Sequence, residues 1–167
     1  MKTSSTLLFF ALTGVSGAAL AAAAEDTPPA PSVFVMKAAQ DGMTEVALGK
    51  IALDKSQTPA VRKFAQRMVS DHGKANQELA ELAKNKGIDA PKKLDAEHAA
   101  MLKTFQSKAG AEFDVSYSQH MNMDHTKAIA LFEAAAKSTD PDFAGFASKT
   151  LPILEEHKEM AGKLPGQ

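Results

Sequence analysis

The chain has 167 residues, with 19 basic and 20 acidic side chains and a formal net charge of −1. This length allows one domain with a buried core. The charges are mixed along the chain without a basic block, which excludes electrostatic binding of nucleic acid as its main function. Because the chain contains no cysteine, it also cannot be a small disulfide-stabilised scaffold.

Residues 1–24 have the pattern of a secretory signal peptide. Lys2 is followed by an apolar run at residues 7–15 and by small residues at 19–24, which predicts cleavage after Ala21 or Ala24. The apolar run is shorter than the roughly 20 residues that span a bilayer, and no cysteine follows it to carry a lipid. We therefore expect an exported protein of the periplasm or envelope, without a transmembrane segment in the mature chain.

The rest of the sequence predicts a short tether and then helices. Residues 25–32 are rich in proline and read as the tether. Residues 33–164 form the predicted domain, with long helices at 33–55, 59–86, 111–137 and 141–163 and a short one at 95–108. Thr58-Pro59 and Asp140-Pro141 provide two helix starts, and Pro152 is expected to kink the last helix. Small residues on the first helix, including Gly49, predict close approach of a neighbour.

Two segments of the chain resemble each other. Residues 55–65 (KSQTPAVRKFA) match residues 137–147 (KSTDPDFAGFA) at the turn of each predicted hairpin. Two related hairpins joined by a long connection are typical of a ferritin-like topology. The expected fold is therefore all-α: a ferritin-like four-helix bundle of two helical hairpins with a short crossover helix.

An acid–histidine pair recurs on three of the four long helices, and each histidine falls on the apolar stripe. The pairs are Asp71-His72, Asp124-His125 and Glu156-His157, and the remaining long helix carries Glu45 on its inward seam. Similar distances from the hairpin turns predict that Glu45, His72, His125 and His157 meet in one layer of the core. The acids Asp71, Asp124 and Glu156 then flank this layer, as further ligands or as acceptors for the outer ring N–H groups.

Two interpretations of this layer follow from the residues. Neutral imidazole with carboxylate suits a divalent transition metal (Zn, Fe or Mn) or copper. Alternatively, each histidine is a hydrogen-bonded core residue that fixes helix register. The run HMNMDH at residues 120–125 also suggests soft-metal capture, but one helix cannot wrap His120, Met121, Met123 and His125 around one ion.

Two further polar groups have simpler interpretations. Asp95 and His98 are spaced one turn apart and are expected to form a solvated pair. Tyr117, the only tyrosine, is expected to hydrogen-bond Asp114 or a carboxylate across the bundle, because a buried phenol usually finds a partner.

Nearly the whole mature sequence resembles an exported bacterial family, domain of unknown function 4142, whose members often carry an outer-membrane-protein label. The resemblance rests on Phe34, Ala38, Gly42, Glu45 and Val46, on FAxxMVxDH at residues 64–72, on FDxxY at 113–117, on DH at 124–125 and on LPxLxxH at 151–157. It implies a ferritin-like bundle in the bacterial envelope, without an established activity.

These observations favour an exported, metal-binding bundle protein associated with envelope stress, and not an enzyme with turnover. The alternative is a non-catalytic structural or interaction module. A di-iron or di-manganese oxidoreductase is disfavoured, since the long helices lack the Glu-x-x-His motif of that class. The sequence identifies no protein partner and leaves self-association open.

Overall fold

The computed structural model describes residues 27–167, so the expected signal peptide at 1–24 lies outside the described residues. Five helices make up this part of the chain. They are α1 (Pro31–Lys55), α2 (Pro59–Asn85), α3 (Ala96–Ser107), α4 (Gly110–Ala135) and α5 (Pro141–Ala161). Each predicted helix is present with its ends within about two residues of expectation, and α1 extends into the segment read as a tether.

Proline and short polar side chains explain where the helices begin. Pro31, Pro59 and Pro141 occupy first-turn positions, where the missing N–H is not needed. The carboxylate of Asp140 accepts a hydrogen bond from the backbone N–H of Asp142 and so caps α5. Thr58 precedes α2 but makes no such cap. Helix α5 continues through Pro152.

The helices pack as two antiparallel hairpins. Helix α1 packs mainly on α2 and α4 mainly on α5, and the hairpins meet where α1 faces α4 and α2 faces α5. The short helix α3 lies in the crossover and contacts α1 and α4. This arrangement confirms the all-α, ferritin-like four-helix bundle that the related turns predicted.

The core consists of two apolar clusters. One contains Phe34 with three further phenylalanines packed edge to face around it, together with Leu79 and Leu154. The other contains Phe64 on α2 and three residues of α4: Phe113, Tyr117 and Met121. In a chain without tryptophan, aromatic rings are the largest fully buried side chains of the core.

Helices α1 and α2 approach each other closely at a glycine. A Cβ atom placed on Gly49 would lie 2.9 Å from Cγ2 of Val69 and 3.1 Å from the carbonyl oxygen of Ala65. The absence of a side chain at Gly49 therefore sets the distance between these helices, as the small residues of the first helix predicted.

No helix within residues 27–167 is long and apolar enough to cross a membrane.

Candidate metal centre

Three histidine side chains from three helices meet in the core. His72 on α2, His125 on α4 and His157 on α5 are buried, and their ring centroids are 5.2–5.5 Å apart. One nitrogen of each ring lies within 4.8 Å of the nitrogens that the other two rings offer. We call these residues the three-histidine cluster.

Glu45 on α1 holds two rings of the cluster by their Nδ1 side. Its Oε2 atom lies 2.8 Å from Nδ1 of His72, and its Oε1 atom lies 3.4 Å from Nδ1 of His125. The latter nitrogen also lies 2.8 Å from the carbonyl oxygen of Met121, one turn earlier on α4. Because a carbonyl only accepts hydrogen bonds, Nδ1 of His125 is the N–H donor in this contact.

The third ring is held by a chain of polar contacts at the junction of α2 and α5. Nε2 of His157 lies 3.1 Å from Oδ2 of Asp71. The same carboxylate oxygen accepts a 2.8 Å hydrogen bond from Arg67, and this guanidinium also donates two 3.1 Å bonds to Glu156. A buried ring is thereby connected to a surface ion pair that fixes the carboxylate facing it.

Each ring has a second nitrogen without a hydrogen-bond partner among the described residues. These atoms are Nε2 of His72, Nε2 of His125 and Nδ1 of His157, and all three are shielded from solvent. A neutral imidazole that donates through one nitrogen presents a lone pair at the other. Three buried polar atoms without partners are costly unless something binds them.

The charges of the site are concentrated on one pair. Burial opposes the charge of Glu45, but the nearby His72 and His125 outweigh it and lower the pKa of Glu45 to about 2. Burial likewise opposes the charge of His72, but the carboxylate of Glu45 raises the pKa of His72 above its ordinary value. Glu45 and His72 therefore form a buried ion pair when no other cation is bound.

The other two rings are neutral at physiological pH. Burial lowers the pKa of His125, and burial together with the charge on His72 lowers the pKa of His157 to about 4. Neutral imidazole is the form that binds metal ions. Two of the three rings thus need no deprotonation, and His72 must release one proton.

The predicted residues divide into those that join this layer and those that do not. Glu45 and the three histidines meet as expected, and Asp71 contacts a ring of the cluster, although not that of its neighbour in sequence. Asp124 points away: its Oδ2 lies 2.9 Å from Nε2 of His120. Glu156 is half exposed on Arg67. Thus Asp124 and Glu156 contact no ring of the cluster.

The two expectations about neighbouring polar groups have different outcomes. His98 does pair with Asp95, at 2.7 Å. The hydroxyl of Tyr117 is buried and has no hydrogen-bond partner in the described part of the chain, so it does not make the expected bond to Asp114 or to a carboxylate across the bundle. Asp114 instead accepts a 2.5 Å hydrogen bond from Thr58, which explains why Thr58 does not cap α2.

The run at residues 120–125 does not form a metal site of its own. Met121 is fully buried in the core, whereas Met123 is exposed to solvent. His120 and His125 face different neighbours, Asp124 and Glu45 respectively. The separation of these side chains around the helix agrees with the geometric objection raised by the sequence.

Two groups that position the rings were not expected. Arg67 lies one turn before Asp71, a spacing that favours an ion pair, so its contact with Asp71 could have been anticipated. Its second contact, with Glu156, depends on how α5 packs against α2. The carbonyl of Met121 has no sequence signal, because every helical residue offers one.

Comparison with known proteins places the chain in a family but assigns no chemistry. No curated protein matches it. A solved structure, the crystal structure of a DUF305 fragment from Deinococcus radiodurans, is similar, with a TM-score of 0.71 and 15% identity over 81% of this chain and 95% of that chain. At this identity the likeness concerns the fold alone. The profile described as Domain of unknown function (DUF4142) matches residues 16–164, and the chain therefore belongs to the DUF4142 family.

Proposed function

We propose that this protein binds one transition-metal ion through His72, His125 and His157. The observation that carries the proposal is the set of three buried ring nitrogens without hydrogen-bond partners within residues 27–167, drawn from rings that offer nitrogens within 4.8 Å of one another. A second support is that the opposite nitrogen of every ring contacts a carboxylate or a carbonyl. Such outer contacts are the usual support of histidine ligands.

The spacing of the nitrogens is wide enough to require some closure around an ion. A zinc–nitrogen bond is about 2.0–2.1 Å long, so two nitrogens of a tetrahedral site are roughly 3.4 Å apart. From an upper separation of 4.8 Å, the rings approach each other by at most about 1.4 Å. We expect small tilts of the three side chains to provide this movement.

The donor set favours some metals over others. Three neutral imidazoles suit zinc, copper, nickel and iron, whereas magnesium, calcium and manganese prefer oxygen ligands. We therefore propose Zn²⁺ or Cu²⁺ as the ion, ahead of Mn²⁺. The layer offers a single buried carboxylate, Glu45, which gives little support to a di-iron centre, since that centre uses four glutamates and two histidines.

The cellular location of the protein is part of the same proposal. The N-terminal pattern of Lys2, an apolar run and small residues at 19–24 supports export. Metal binding in the periplasm or envelope, without turnover of a substrate, is the function that this combination favours.

A second candidate function is a structural one, and one observation favours it. The Glu45–His72 contact joins α1 to α2, and the Asp71–His157 contact joins α2 to α5. These buried contacts alone can fix helix register, as a polar core residue does in some helical assemblies. In that case the cluster binds no ion.

Metal titration of the untagged protein, with residues 1–24 removed, separates the two functions. We expect one equivalent of Zn²⁺ to bind and to raise the free energy of unfolding by about 2.7 kcal/mol at a free concentration one hundred times Kd. His125→Gln removes one ligand nitrogen and is expected to abolish this gain. Ser118→Ala is the matched control, since Ser118 is buried on the same helix but bonds only the carbonyl of Asp114.

The results that contradict metal binding are equally clear. If neither Zn²⁺ nor Cu²⁺ changes the melting temperature of the wild-type protein, the structural function replaces the proposed one. If His125→Gln binds Zn²⁺ as tightly as the wild type and Ser118→Ala, the ion lies outside the three-histidine cluster.

A further inference from the structure

The two histidines outside the cluster line a second cavity. The chain has five histidines, and His98 and His120 both face a cavity of about 220 Å³ bordered by α1, α3 and α4. Four carboxylates line it with them: Asp41, Glu45, Glu97 and Asp124. We call this space the acidic cavity.

Glu45 forms the inner wall of the acidic cavity and connects it to the cluster. Glu45 lines the cavity, its side chain is 3% exposed, and its Oε1 atom has no hydrogen-bond partner in the described chain. Through Oε2 it contacts His72 at 2.8 Å. One carboxylate therefore borders both the cavity and the rings.

The charge of the acidic cavity selects for cations. Four carboxylates line it against one lysine, Lys127, and the two histidines His98 and His120. The accumulation of negative charge is visible at Asp41, whose pKa is raised to about 6 by burial and by the carboxylates of Glu45 and Asp124. A space lined by one sign of charge concentrates ions of the opposite sign and speeds their association.

A second cavity beside the cluster lacks this charge. It measures about 290 Å³, lies between α2 and α5 and reaches His72 and His157. Its carboxylates are outnumbered by cationic side chains; the charged residues are Asp71 and Glu78 against Arg67, Lys74 and Lys149. A cation approaching the cluster from this side meets positive charge first.

The acidic cavity is also large enough for an ion that keeps its water. A water molecule takes about 30 Å³ in the liquid, so the cavity has space for roughly seven water-sized groups. Its side chains already form pairs, with 3.6 Å between His98 and Asp41 and 2.9 Å between His120 and Asp124. Separate pairs around a wet space bind an ion through its waters more readily than directly.

We propose that the acidic cavity binds a hydrated divalent cation and delivers it to the three-histidine cluster by way of Glu45. This inference rests on the proposed metal site. His98, His120, Asp41 and Asp124 hold the hydrated ion, which loses water as it passes to the buried carboxylate. Glu45 then releases the ion to the cluster, whose unpartnered nitrogens on His72 and His125 face away from this carboxylate.

The rate of Co²⁺ uptake tests the route. In stopped-flow absorbance at low salt, the double variant Asp41→Asn/Asp124→Asn is expected to load about tenfold more slowly than the wild type, with weaker dependence on salt. The matched control is Glu78→Gln/Glu81→Gln, which removes the same charge from exposed positions on α2 and is expected to load at the wild-type rate. Helical circular dichroism confirms that each variant is folded.

Binding within the cavity is tested without the cluster. In the His125→Gln protein, Mn²⁺ is expected to broaden the NMR ring signals of His98 and His120 more than that of His157. The broadening is expected to disappear when Asp41→Asn/Asp124→Asn is added. If the double variant Asp41→Asn/Asp124→Asn does not fold, the NMR measurement replaces the kinetic one. His98→Gln then provides the comparison.

Each outcome decides one of the two proposals. Equal slowing by both double variants, or greater slowing by the control, overturns the route through the acidic cavity while leaving the metal site intact. Absence of Mn²⁺ broadening at His98 and His120 overturns binding in the cavity. If wild-type protein takes up no Co²⁺, Zn²⁺ or Cu²⁺ at all, the metal site itself is wrong and the route falls with it.

Discussion

Oδ2 of Asp71 lies 3.1 Å from Nε2 of His157, on the other hairpin, although Asp71 directly precedes His72 in the sequence. Successive residues of a helix point about 100° apart, so Asp71 turns towards α5 while His72 turns towards Glu45 on α1. The acid and the histidine that are adjacent in sequence thus serve different contacts. Asp71 connects the two hairpins.

Replacing Asp71 is expected to weaken metal binding without removing a ligand. The charge of Asp71 orients His157 and raises the basicity of its free nitrogen, and Asp71→Asn removes that charge. Loss of such a partner typically costs about 10- to 100-fold in metal affinity. Competition with a zinc chelator measures this change. Asp142→Asn is the control, since Asp142 is 60% exposed beside Lys86. Unchanged affinity in Asp71→Asn contradicts the role of Asp71 as a positioning residue.

The metal-free protein is expected to lose stability as the pH falls from 6.5 to 4. The pKa of His157 is about 4 in the folded chain against 6.5 ordinarily, so within this window the unfolded chain binds a proton that the folded chain does not. At 1.36 kcal/mol per pKa unit, His157 alone contributes at most about 3 kcal/mol. His125 acts in the same direction because its pKa is also lowered. Urea unfolding at several pH values measures the slope.

On the alkaline side of the plot of stability against pH, His72 is the residue that titrates. Its pKa is raised in the folded chain, so its contribution is complete below pH 6.5 and is lost as the pH rises through the raised value. His157→Gln is expected to flatten the acid limb and to leave the alkaline one. A profile that His157→Gln does not change contradicts the assignment of a neutral, buried ring at this position.

Alanine substitutions at two helical glycines are expected to have opposite effects. Gly49→Ala brings a Cβ against Val69 and the backbone of Ala65, so overpacking costs about 1–3 kcal/mol. Gly145→Ala meets nothing within 4 Å and is expected to stabilise by up to about 1 kcal/mol through helix propensity. Chemical denaturation of both variants tests the close contact of α1 with α2. Equal effects at the two positions contradict it.

Removing the hydroxyl of Tyr117 is expected to stabilise the protein. The group is fully buried without a hydrogen-bond partner among residues 27–167, and an unsatisfied buried polar group costs about 1–3 kcal/mol. Tyr117→Phe keeps the stacked contact with Phe113, whose ring centroid lies 5.8 Å away. Phe113→Leu is the control for loss of aromatic packing. A fall in the melting temperature of Tyr117→Phe shows instead that the hydroxyl binds something in the folded state.

The fold could be predicted from the sequence because its signals are local. Apolar periodicity, Pro59 and Pro141 at helix starts and the related turns depend on nearby residues only. The depth of Glu45 and the three histidines also follows locally, since distance along a helix is fixed by its rise of 1.5 Å per residue. Hence the meeting of these four residues in one layer was predictable.

The partners of the rings were less predictable because they depend on rotation about the helix axis. A modest turn of α4 decides whether Asp124 faces the three-histidine cluster or the acidic cavity, and the hydrophobic stripe is too wide to fix that turn. The same uncertainty exchanges the roles of Asp71 and Glu156 at the α2–α5 junction. Packing against α3 and α5 settles these rotations, and no short sequence pattern encodes that packing.

The origin of the three ring nitrogens on separate segments has a mechanical consequence. An ion shared by α2, α4 and α5 would act as a crosslink between the two hairpins, closing loops that include the whole crossover. Crosslinks stabilise chiefly by restricting the unfolded chain, and more so for longer loops. In a chain without cysteine, such a reversible crosslink would stabilise the fold as a disulfide does. Its formation would depend on the concentration of metal and not on oxidation.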